Sequence, residues 1–276
     1  MIFVSLTTIP QRISNLNKSV ESLLKQTRKP DKIFINIPNK YKRFKETINS
    51  NQIPKFESGI VEIIRCEDYG PGTKLLGSID KVKKDSLIIL VDDDHIYEDY
   101  MIEKFFSYYS KAPENAYSFY VHPLKDFGVG QGADGFAINT NSLIGVKKFY
   151  DEVVKMNEDL FIHDDLWTSF FLFFIKKIKI LSLQSQLKKN DDLFIHDDLW
   201  TSFFLFYVKK VKILSLQSHL RKNEDGKFSL IYKKHSHEDG LISSYGKNIN
   251  EAIKQRDLTA LKSLDYMFDK ISKIKF

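Results

Sequence analysis

Three consecutive aspartates, Asp92, Asp93 and Asp94, follow the apolar run LIILV. Adjacent carboxylates repel one another and raise each other's pKa, so a group of this kind at the end of a buried strand needs a neutralising cation. Carboxylate oxygens are hard ligands that suit Mg²⁺ or Mn²⁺, and these ions bridge to substrate phosphates. In an extended chain Asp92 and Asp94 point to one side and Asp93 to the other. The pattern therefore predicts a D-x-D metal site.

A glycine-bearing turn with a lysine, RCEDYGPGTKLLGSI, precedes this run in the sequence. A flexible turn that opens a helix can cradle phosphate groups, and Lys74 could add a positive charge there. The letters GPGTK match neither a Walker loop nor a dinucleotide-binding fingerprint. The turn therefore supports phosphate binding only in combination with the aspartates.

A second acidic motif occurs twice in the chain. The stretch DLFIHDDLWTSFFLF begins at Asp159 and again at Asp192, and the two copies occupy residues 159–191 and 192–224. Each copy has an acidic pair that can cap a first helical turn, an apolar segment with helical spacing, and a strand-like KIKILSL or KVKILSL. Two copies are too few for a solenoid, so we predict a duplicated helix-strand unit inserted into an older fold.

Short runs rich in β-branched and aromatic residues indicate the strands that carry these motifs. They are IFVSLTTIP, DKIFINIPN, GIVEIIRCED and DSLIILVDDD, separated by segments of helical character. This alternation predicts a parallel α/β sheet. LIILV is apolar without alternation, so we expect it at the centre of the sheet. The aspartates then lie at the carboxyl edge, where open α/β sheets bind ligands.

The segments between and beyond these strands have helical and strand patterns of their own. Between the first two strands, one helical face carries the apolar residues Ile13, Leu16, Val20, Leu23 and Leu24. Beyond the aspartates follow a helix in YEDYMIEKFFSYYSK, a strand AYSFYVH, the turn GVGQGADG, a strand FAINT and a helix KKFYDEVVKM. The last segment, 248–276, has the pattern of an amphipathic helix.

The composition limits the possible classes of protein. A chain of 276 residues with 42% hydrophobic content can bury a core of its own. Cys66 is the single cysteine, so an internal disulfide and a multi-cysteine metal site are excluded and a cytoplasmic location is expected. MIFVSLTTIP is interpreted as a first strand and not as a signal peptide. The apolar run from Phe170 to Ile175 is too short for a transmembrane segment.

The net charge of +6 and a pI of about 9.0 suit a partner that carries phosphate. The lysines are spread along the chain, and no basic helix or basic-aromatic repeat of a known binding module occurs. Nucleic acid is therefore not expected as the main ligand.

Five motifs, SLTTIPQRI, EDYGPGTKLLG, VDDDHIY, QGADGF and HDDLW, follow one another in an order that resembles GT-A type glycosyltransferases. The resemblance extends from Ile2 to about Leu241 and is to a family-2-like branch, here with an internal tandem duplication. It implies one domain over residues 1–276 with a Rossmann-like, mostly parallel sheet flanked by helices. Residues 1–98 would form the nucleotide-binding half, 99–247 the acceptor and catalytic half, and 248–276 a C-terminal helix.

The resemblance also implies a set of site residues. A nucleotide-sugar donor would be bound by Thr8, Pro10, Arg12, Asp68, Lys74, Asp92, Asp93 and Asp134. Mn²⁺ or Mg²⁺ would be held by Asp92, Asp94, His235 and His237, because such enzymes often take a further ligand from a histidine beyond the acidic helix; His219 is a weaker candidate for the same role. Asp134 has an alternative interpretation as an ordinary turn aspartate, and each histidine as an ordinary exposed one.

Inverting enzymes of this type use a carboxylate at a helix start, often the second of an acidic pair, as the base that deprotonates the acceptor hydroxyl. The corresponding residue is Asp165 in the first copy or Asp198 in the second, and one pocket admits only one base. The second copy keeps the connection to the C-terminal segment and has His219 where the first has Gln186. We therefore expect Asp198 to be the base and the other pair to be a helix cap.

The resulting hypothesis is a metal-dependent hexosyltransferase that moves a sugar from a nucleotide-sugar to a hydroxyl of a glycan or other acceptor, with inversion. A nucleotidyltransferase is the nearest alternative, because it too can combine an α/β sheet with a metal-bound D-x-D. A non-catalytic protein that binds nucleotide or carbohydrate, derived from the same fold, is the alternative from a different class.

Overall fold

A computed structural model of the chain describes residues 1–124, 127–184, 231–234 and 249–273. The strands are β1 (Ile2–Thr7), β2 (Lys32–Pro38), β3 (Val61–Cys66), β4 (Leu87–Leu90), β5 (His95–Tyr97), β6 (Ala116–Ser118), β7 (Val121–Leu124), β8 (Phe127–Gly130), β9 (Phe136–Asn139), β10 (Ile180–Ser182) and β11 (Ile231–Lys234). The α-helices are α1 (Leu16–Leu24), α2 (Thr73–Leu76), α3 (Met101–Tyr109), α4 (Val146–Phe149), α5 (Asp164–Phe170) and α6 (Ile249–Ile271).

Seven strands form one sheet in the order β10-β6-β9-β4-β1-β2-β3. β1 pairs in parallel with β2 and β4, β2 pairs in parallel with β3, and β6 pairs in parallel with β10. β9 is antiparallel to both of its neighbours, β4 and β6. Six strands therefore run in one direction and β9 runs against them, which confirms the predicted mostly parallel sheet. β4, the LIILV strand, has three strands on each side, so its predicted central position is also confirmed.

The sheet separates two hydrophobic cores, because alternate residues of each strand point to opposite faces. On one face Ile2, Val4 and Leu6 of β1 pack with the apolar residues of α1 and α3. On the other face Phe3 packs with residues of α2, α4, α5 and α6. The result is a three-layer α/β/α arrangement in which α5, the helix that begins with the first acidic pair, covers one face of the sheet.

The predicted strand AYSFYVH forms two strands instead of one. β6 ends at Ser118, and β7 begins at Val121 and pairs with β8 in a separate two-stranded sheet. The hydroxyl of Ser118 lies 2.8 Å from the carbonyl oxygen of Tyr120 and accepts a hydrogen bond from the Gln131 amide at 3.0 Å. This local side-chain bonding replaces the regular ladder at the break.

In the first copy, the described residues 159–184 form a helix and then a strand: α5 is followed by a π-helical turn at Phe171–Ile175 and by β10. The second copy, 192–224, lies outside the described residues. None of the helices in the described ranges combines the length and the apolarity that crossing a bilayer requires.

Helix α1 has a buried polar stripe beside its apolar face. Leu16, Val20 and Leu23 are fully buried as predicted. Gln26, two residues after the helix, is also fully buried, and its amide donates to the carbonyl oxygen of Glu98 at 2.6 Å. The other side-chain atom, Oε1, accepts the amide of Ile102 in the first turn of α3 at 2.9 Å. Gln26 therefore caps α3 from the end of another helix.

We expect Gln26→Leu to lower the free energy of unfolding by about 1–3 kcal/mol, because it leaves the Ile102 amide without its side-chain acceptor and removes one of the donors to the Glu98 carbonyl, which keeps the Met101 amide. Urea unfolding followed by circular dichroism measures the change as a lower midpoint with an unchanged m-value. Lys25→Ala is the matched control, because the Lys25 side chain is 75% exposed and its loss should change stability by less than about 0.5 kcal/mol. Equal midpoints for the two variants would contradict the capping role.

Candidate active site

The acidic loop after β4 is fixed by bonds from two neighbouring elements. Ser19 of α1 donates its hydroxyl to the carbonyl oxygen of Asp93 at 2.5 Å. The buried hydroxyl of Tyr97 accepts the amide of Asp92 at 2.9 Å and donates to the carbonyl oxygen of Ala133 at 3.0 Å. The loop is thus tied on one side to α1 and on the other to the turn that carries Asp134.

Each of the three aspartates has a cationic partner within the protein. Arg12 Nη1 lies 3.0 Å from Asp93 Oδ1 and 3.1 Å from Asp94 Oδ2. Lys74 Nζ lies 2.7 Å from Asp92 Oδ1. The sequence predicted a divalent cation as the neutralising group; the structure shows two side chains, Arg12 and Lys74, beside the aspartates.

The pKa shifts at the loop follow from burial and from these ion pairs. Burial lowers the pKa of Arg12, but Asp93 and Asp94 outweigh burial, so the pKa of the guanidinium is raised. Burial raises the pKa of Asp93 against the opposing effect of Arg12. For Asp94 burial acts in the same direction but is outweighed by His95 and Arg12, so its pKa is lowered.

Lys74 connects the acidic loop to the acidic pair of the first copy. Its side chain is only 4% exposed, and Nζ lies 3.1 Å from Asp164 Oδ2 in addition to the contact with Asp92. Burial opposes the charge of Lys74, but Asp164 and Asp92 outweigh it and raise the pKa of the ammonium well above its usual value. Lys74 is therefore a permanent cation between two acidic elements.

Asp165, the second residue of the pair, lies beside this cluster. Its Oδ1 accepts the backbone amide of Gly132 at 3.0 Å. Burial first and the charge of Asp164 second raise the pKa of Asp165 well above its usual value, although Lys74 acts in the opposite direction. A carboxyl group with a raised pKa binds a proton more strongly, which is the property that a general base needs near neutral pH.

Two buried polar residues in the strands hold Lys74 in place. Ser5 of β1 donates to the carbonyl oxygen of Lys74 at 2.5 Å, and Asn36 of β2 donates to the Ser5 hydroxyl at 2.8 Å. Both residues are fully buried. They were not among the predicted site residues, although a signal was present: a serine and an asparagine interrupt the otherwise apolar runs IFVSL and IFINI.

The glycines of the two predicted turns allow the first acidic segment to approach closely. A Cβ on Gly72 would lie 2.5 Å from the Trp167 ring, and one on Gly132 would lie 2.9 Å from Lys74 Nζ. Gly70 has a φ of +62° and packs against the backbone of Phe161. The GPGT turn therefore has a packing function in addition to the phosphate contact expected from the sequence.

The remaining predicted nucleotide-binding residues surround this cluster. Thr8 is buried in the loop after β1, and Pro10 begins the 3₁₀ turn that carries Arg12. Asp68 is buried, and its two oxygens accept the amides of Lys42 at 2.6 Å and Gly70 at 2.9 Å. Asp134 is partly exposed in the turn next to Ala133. Arg12, Lys74, the three aspartates and Asp165 are the residues that the structure brings together.

Three predicted residues, Asp198, His235 and His237, lie outside the described residues. β11 ends at Lys234, which pairs with His95 of β5. The two C-terminal histidines follow this strand directly in the sequence, and their assignment as ligands stays a prediction.

A divalent cation fits the acidic loop. Asp92, Asp94 and His95 each offer a ligand atom, and these atoms lie within 4.8 Å of one another. Asp94 Oδ1 and His95 Nδ1 are buried without a hydrogen-bond partner among the described residues. His95 was not among the predicted ligands; its position directly after the aspartates in VDDDHIY was the available signal.

Comparison with solved structures gives distant similarities. The chain is similar to Staphylococcus aureus TarS 1–349 in complex with UDP, with 10% identity and a TM-score of 0.42 over 66% of this chain and 58% of that chain. It is also similar to Francisella tularensis 2-C-methyl-D-erythritol 4-phosphate cytidylyltransferase, with 11% identity and a TM-score of 0.41 over 66% of this chain and 88% of that chain. Comparison with curated proteins gives no match.

Comparison with family models gives a match to "Glycosyl transferase family 2" over residues 9–179. The matched range is more than half of the chain. It begins in the loop that leads to Arg12 and contains the acidic loop, Lys74 and the first acidic pair. By this match, the chain belongs to glycosyl transferase family 2.

Proposed function

We propose that the protein is a metal-dependent glycosyltransferase that moves a sugar from a nucleotide-sugar to an acceptor hydroxyl with inversion. The observation that carries the proposal is the position of Lys74 Nζ, 2.7 Å from Asp92 and 3.1 Å from Asp164. This lysine joins the D-x-D loop and a helix-start acidic pair in one site. An inverting transferase needs both elements next to each other, one at the leaving diphosphate and one at the acceptor.

The proposed base is Asp165 of the first copy. It takes the proton of the acceptor hydroxyl while the acceptor oxygen forms its bond to the anomeric carbon of the sugar. The bond between that carbon and the donor phosphate oxygen breaks on the opposite face, and its electron pair leaves with the nucleoside diphosphate. The raised pKa of Asp165 supports this role. Asp198, which the sequence favoured, stays the competing prediction.

The donor side of the site is proposed to consist of Arg12, Lys74 and the aspartates. Asp92 and Asp94 would hold Mn²⁺ or Mg²⁺, which supplies Lewis-acid stabilisation of the departing diphosphate. Lys74 and Arg12 add positive charge beside the same group. Thr8, Pro10, Asp68, Asp93 and Asp134 are proposed to line the nucleotide-sugar pocket, as the family resemblance implies.

The family match favours glycosyl transfer over nucleotidyl transfer and over binding without catalysis. The direct test measures hydrolysis and transfer of a panel of nucleotide-sugars by the full chain with Mn²⁺, with Mg²⁺ and with EDTA. Metal-dependent release of a nucleoside diphosphate from one or more donors supports the proposal. Release of pyrophosphate from a nucleoside triphosphate would instead identify a nucleotidyltransferase.

We expect Asp92→Asn and Asp94→Asn each to weaken Mn²⁺ binding by at least about tenfold, because each removes a charged oxygen ligand. Isothermal titration with Mn²⁺ and with the donor measures the loss, and circular dichroism checks that the fold is intact. Asp93→Asn is the matched control in the same loop. Its carboxylate is not part of the group of ligand atoms formed by Asp92, Asp94 and His95, so its Mn²⁺ affinity should change much less, and an equal loss in all three variants would contradict the D-x-D assignment.

We expect Asp165→Asn to lower kcat by about 10²-fold or more, the usual scale for the loss of a general base. We compare it with Asp198→Asn and with the double variant that carries both substitutions. Asp159→Asn, at an exposed position of the first copy, is the control. Near wild-type turnover in Asp165→Asn with a loss in Asp198→Asn would assign the base to the second copy. Full turnover in the double variant would exclude a base from either pair.

The pH profile gives an independent check on Asp165. A base must be deprotonated to act, and a raised pKa means that Asp165 keeps its proton to a higher pH. We therefore expect kcat/KM to fall on acidification at a pH well above the usual aspartate range. The kcat/KM of the remaining activity of Asp165→Asn should not show this fall on acidification. If the fall on acidification is unchanged in the variant, a group other than Asp165 causes it.

A further inference from the structure

We infer that His95 is an inner-sphere ligand of the divalent cation through Nδ1, together with Asp92 and Asp94. The metal site would then be a contiguous D-x-D-H segment, complete without a histidine from the C-terminal part of the chain. The inference rests on the proposed metal dependence, but it concerns binding of the ion, which can be measured without any sugar transfer.

The orphaned atoms of His95 and Asp94 are the first observation. The His95 side chain is 7% exposed, and its Nδ1 lies 2.7 Å from Asp94 Oδ1. Despite this short distance, the contact lacks the angle of a hydrogen bond, and neither atom has another partner within the part of the chain that the structure describes. Buried polar atoms in native proteins are almost always satisfied. A cation bound to both atoms would satisfy them together.

The spacing of the atoms is the second observation. Two neighbouring ligands of an octahedral ion, each at about 2.1 Å and at right angles, lie about 3.0 Å apart. The distance between His95 Nδ1 and Asp94 Oδ1 is close to this value. An Asp92 oxygen completes the group, since the three ligand atoms all lie within 4.8 Å of one another.

The charge of the site is the third observation. Five carboxylates, those of Asp92, Asp93, Asp94, Asp164 and Asp165, surround the two cations Arg12 and Lys74. The cluster has an excess of three negative charges, or of two when Asp165 is protonated. A divalent ion would offset this excess, and a neutral imidazole ligand adds to the binding without adding further charge.

His95 is also held in place by its strand. β5 pairs with β11, where Lys234 lies opposite His95, and the amide of Tyr97 donates to the Ser22 hydroxyl of α1 at 3.0 Å. A ligand on a paired strand loses little freedom when it binds an ion, and this favours a preorganised site.

The test uses Mn²⁺ as the probe and the full chain without donor or acceptor. Electron paramagnetic resonance gives the Mn²⁺ affinity, and electron spin-echo modulation detects a nitrogen bound to the ion. The variants are His95→Gln, the pair His235→Gln and His237→Gln combined, and His122→Gln as a control histidine on β7. We expect nitrogen modulation in the wild type, in His122→Gln and in the C-terminal double variant. In His95→Gln we expect its loss and an affinity at least about tenfold weaker.

Nitrogen modulation that persists in His95→Gln, or that disappears in the C-terminal double variant, would overturn the assignment. So would Mn²⁺ binding without nitrogen modulation in the wild type, or no binding at millimolar Mn²⁺. If His95→Gln fails to fold, nitrogen modulation in the wild type and in the C-terminal double variant still shows whether the ligand is one of the C-terminal histidines. The proposed function fails separately: tight Mn²⁺ binding through His95 without turnover of any nucleotide-sugar would retain the metal site and reject the transferase.

Discussion

The candidate active site depends on one buried cation. Lys74 is almost completely enclosed, and a buried charge is stable only when it is paired. Its two partners, Asp92 and Asp164, come from a strand end and from a helix start that are far apart in the sequence. Because one ammonium group contacts both carboxylates, it fixes the position of α5 relative to the sheet. Ser5 and Asn36 hold the lysine backbone to the sheet and so set that position.

Helix α1 has an equally specific role in the scaffold. Its apolar face packs on the sheet, while Ser19, Ser22 and Gln26 bond to the backbone of the segment from Asp93 to Ile102. The acidic loop is therefore not a free surface loop. It is held by hydrogen bonds along its length, which limits the reorganisation needed when a ligand binds.

The sheet and its central strand could be predicted because hydrophobic runs and helical periodicity are local properties of the sequence. The same is true of the position of Asp92 at the carboxyl edge. The ion pairs could not be predicted, because the partners of Arg12 and Lys74 depend on distances between segments. The two copies have identical HDDLW letters, so no local pattern could identify the one beside Lys74. His95 was not predicted as a ligand, because the family resemblance implied a further ligand from a histidine beyond the acidic helix.

The repeat has a consequence for the folding of the chain during its synthesis. The first copy fills its place on the sheet with buried residues that the second copy repeats without change: Leu160, Asp164, Leu166, Trp167, Thr168, Ser169, Phe170, Phe171, Leu172 and Leu183. The described positions at which the copies differ, Phe174, Ile175 and Ile178, are only partly buried. Packing therefore supplies little free energy to distinguish the copies. Synthesis does distinguish them, because residues 159–191 emerge from the ribosome before their duplicate and can reach the nascent N-terminal half first.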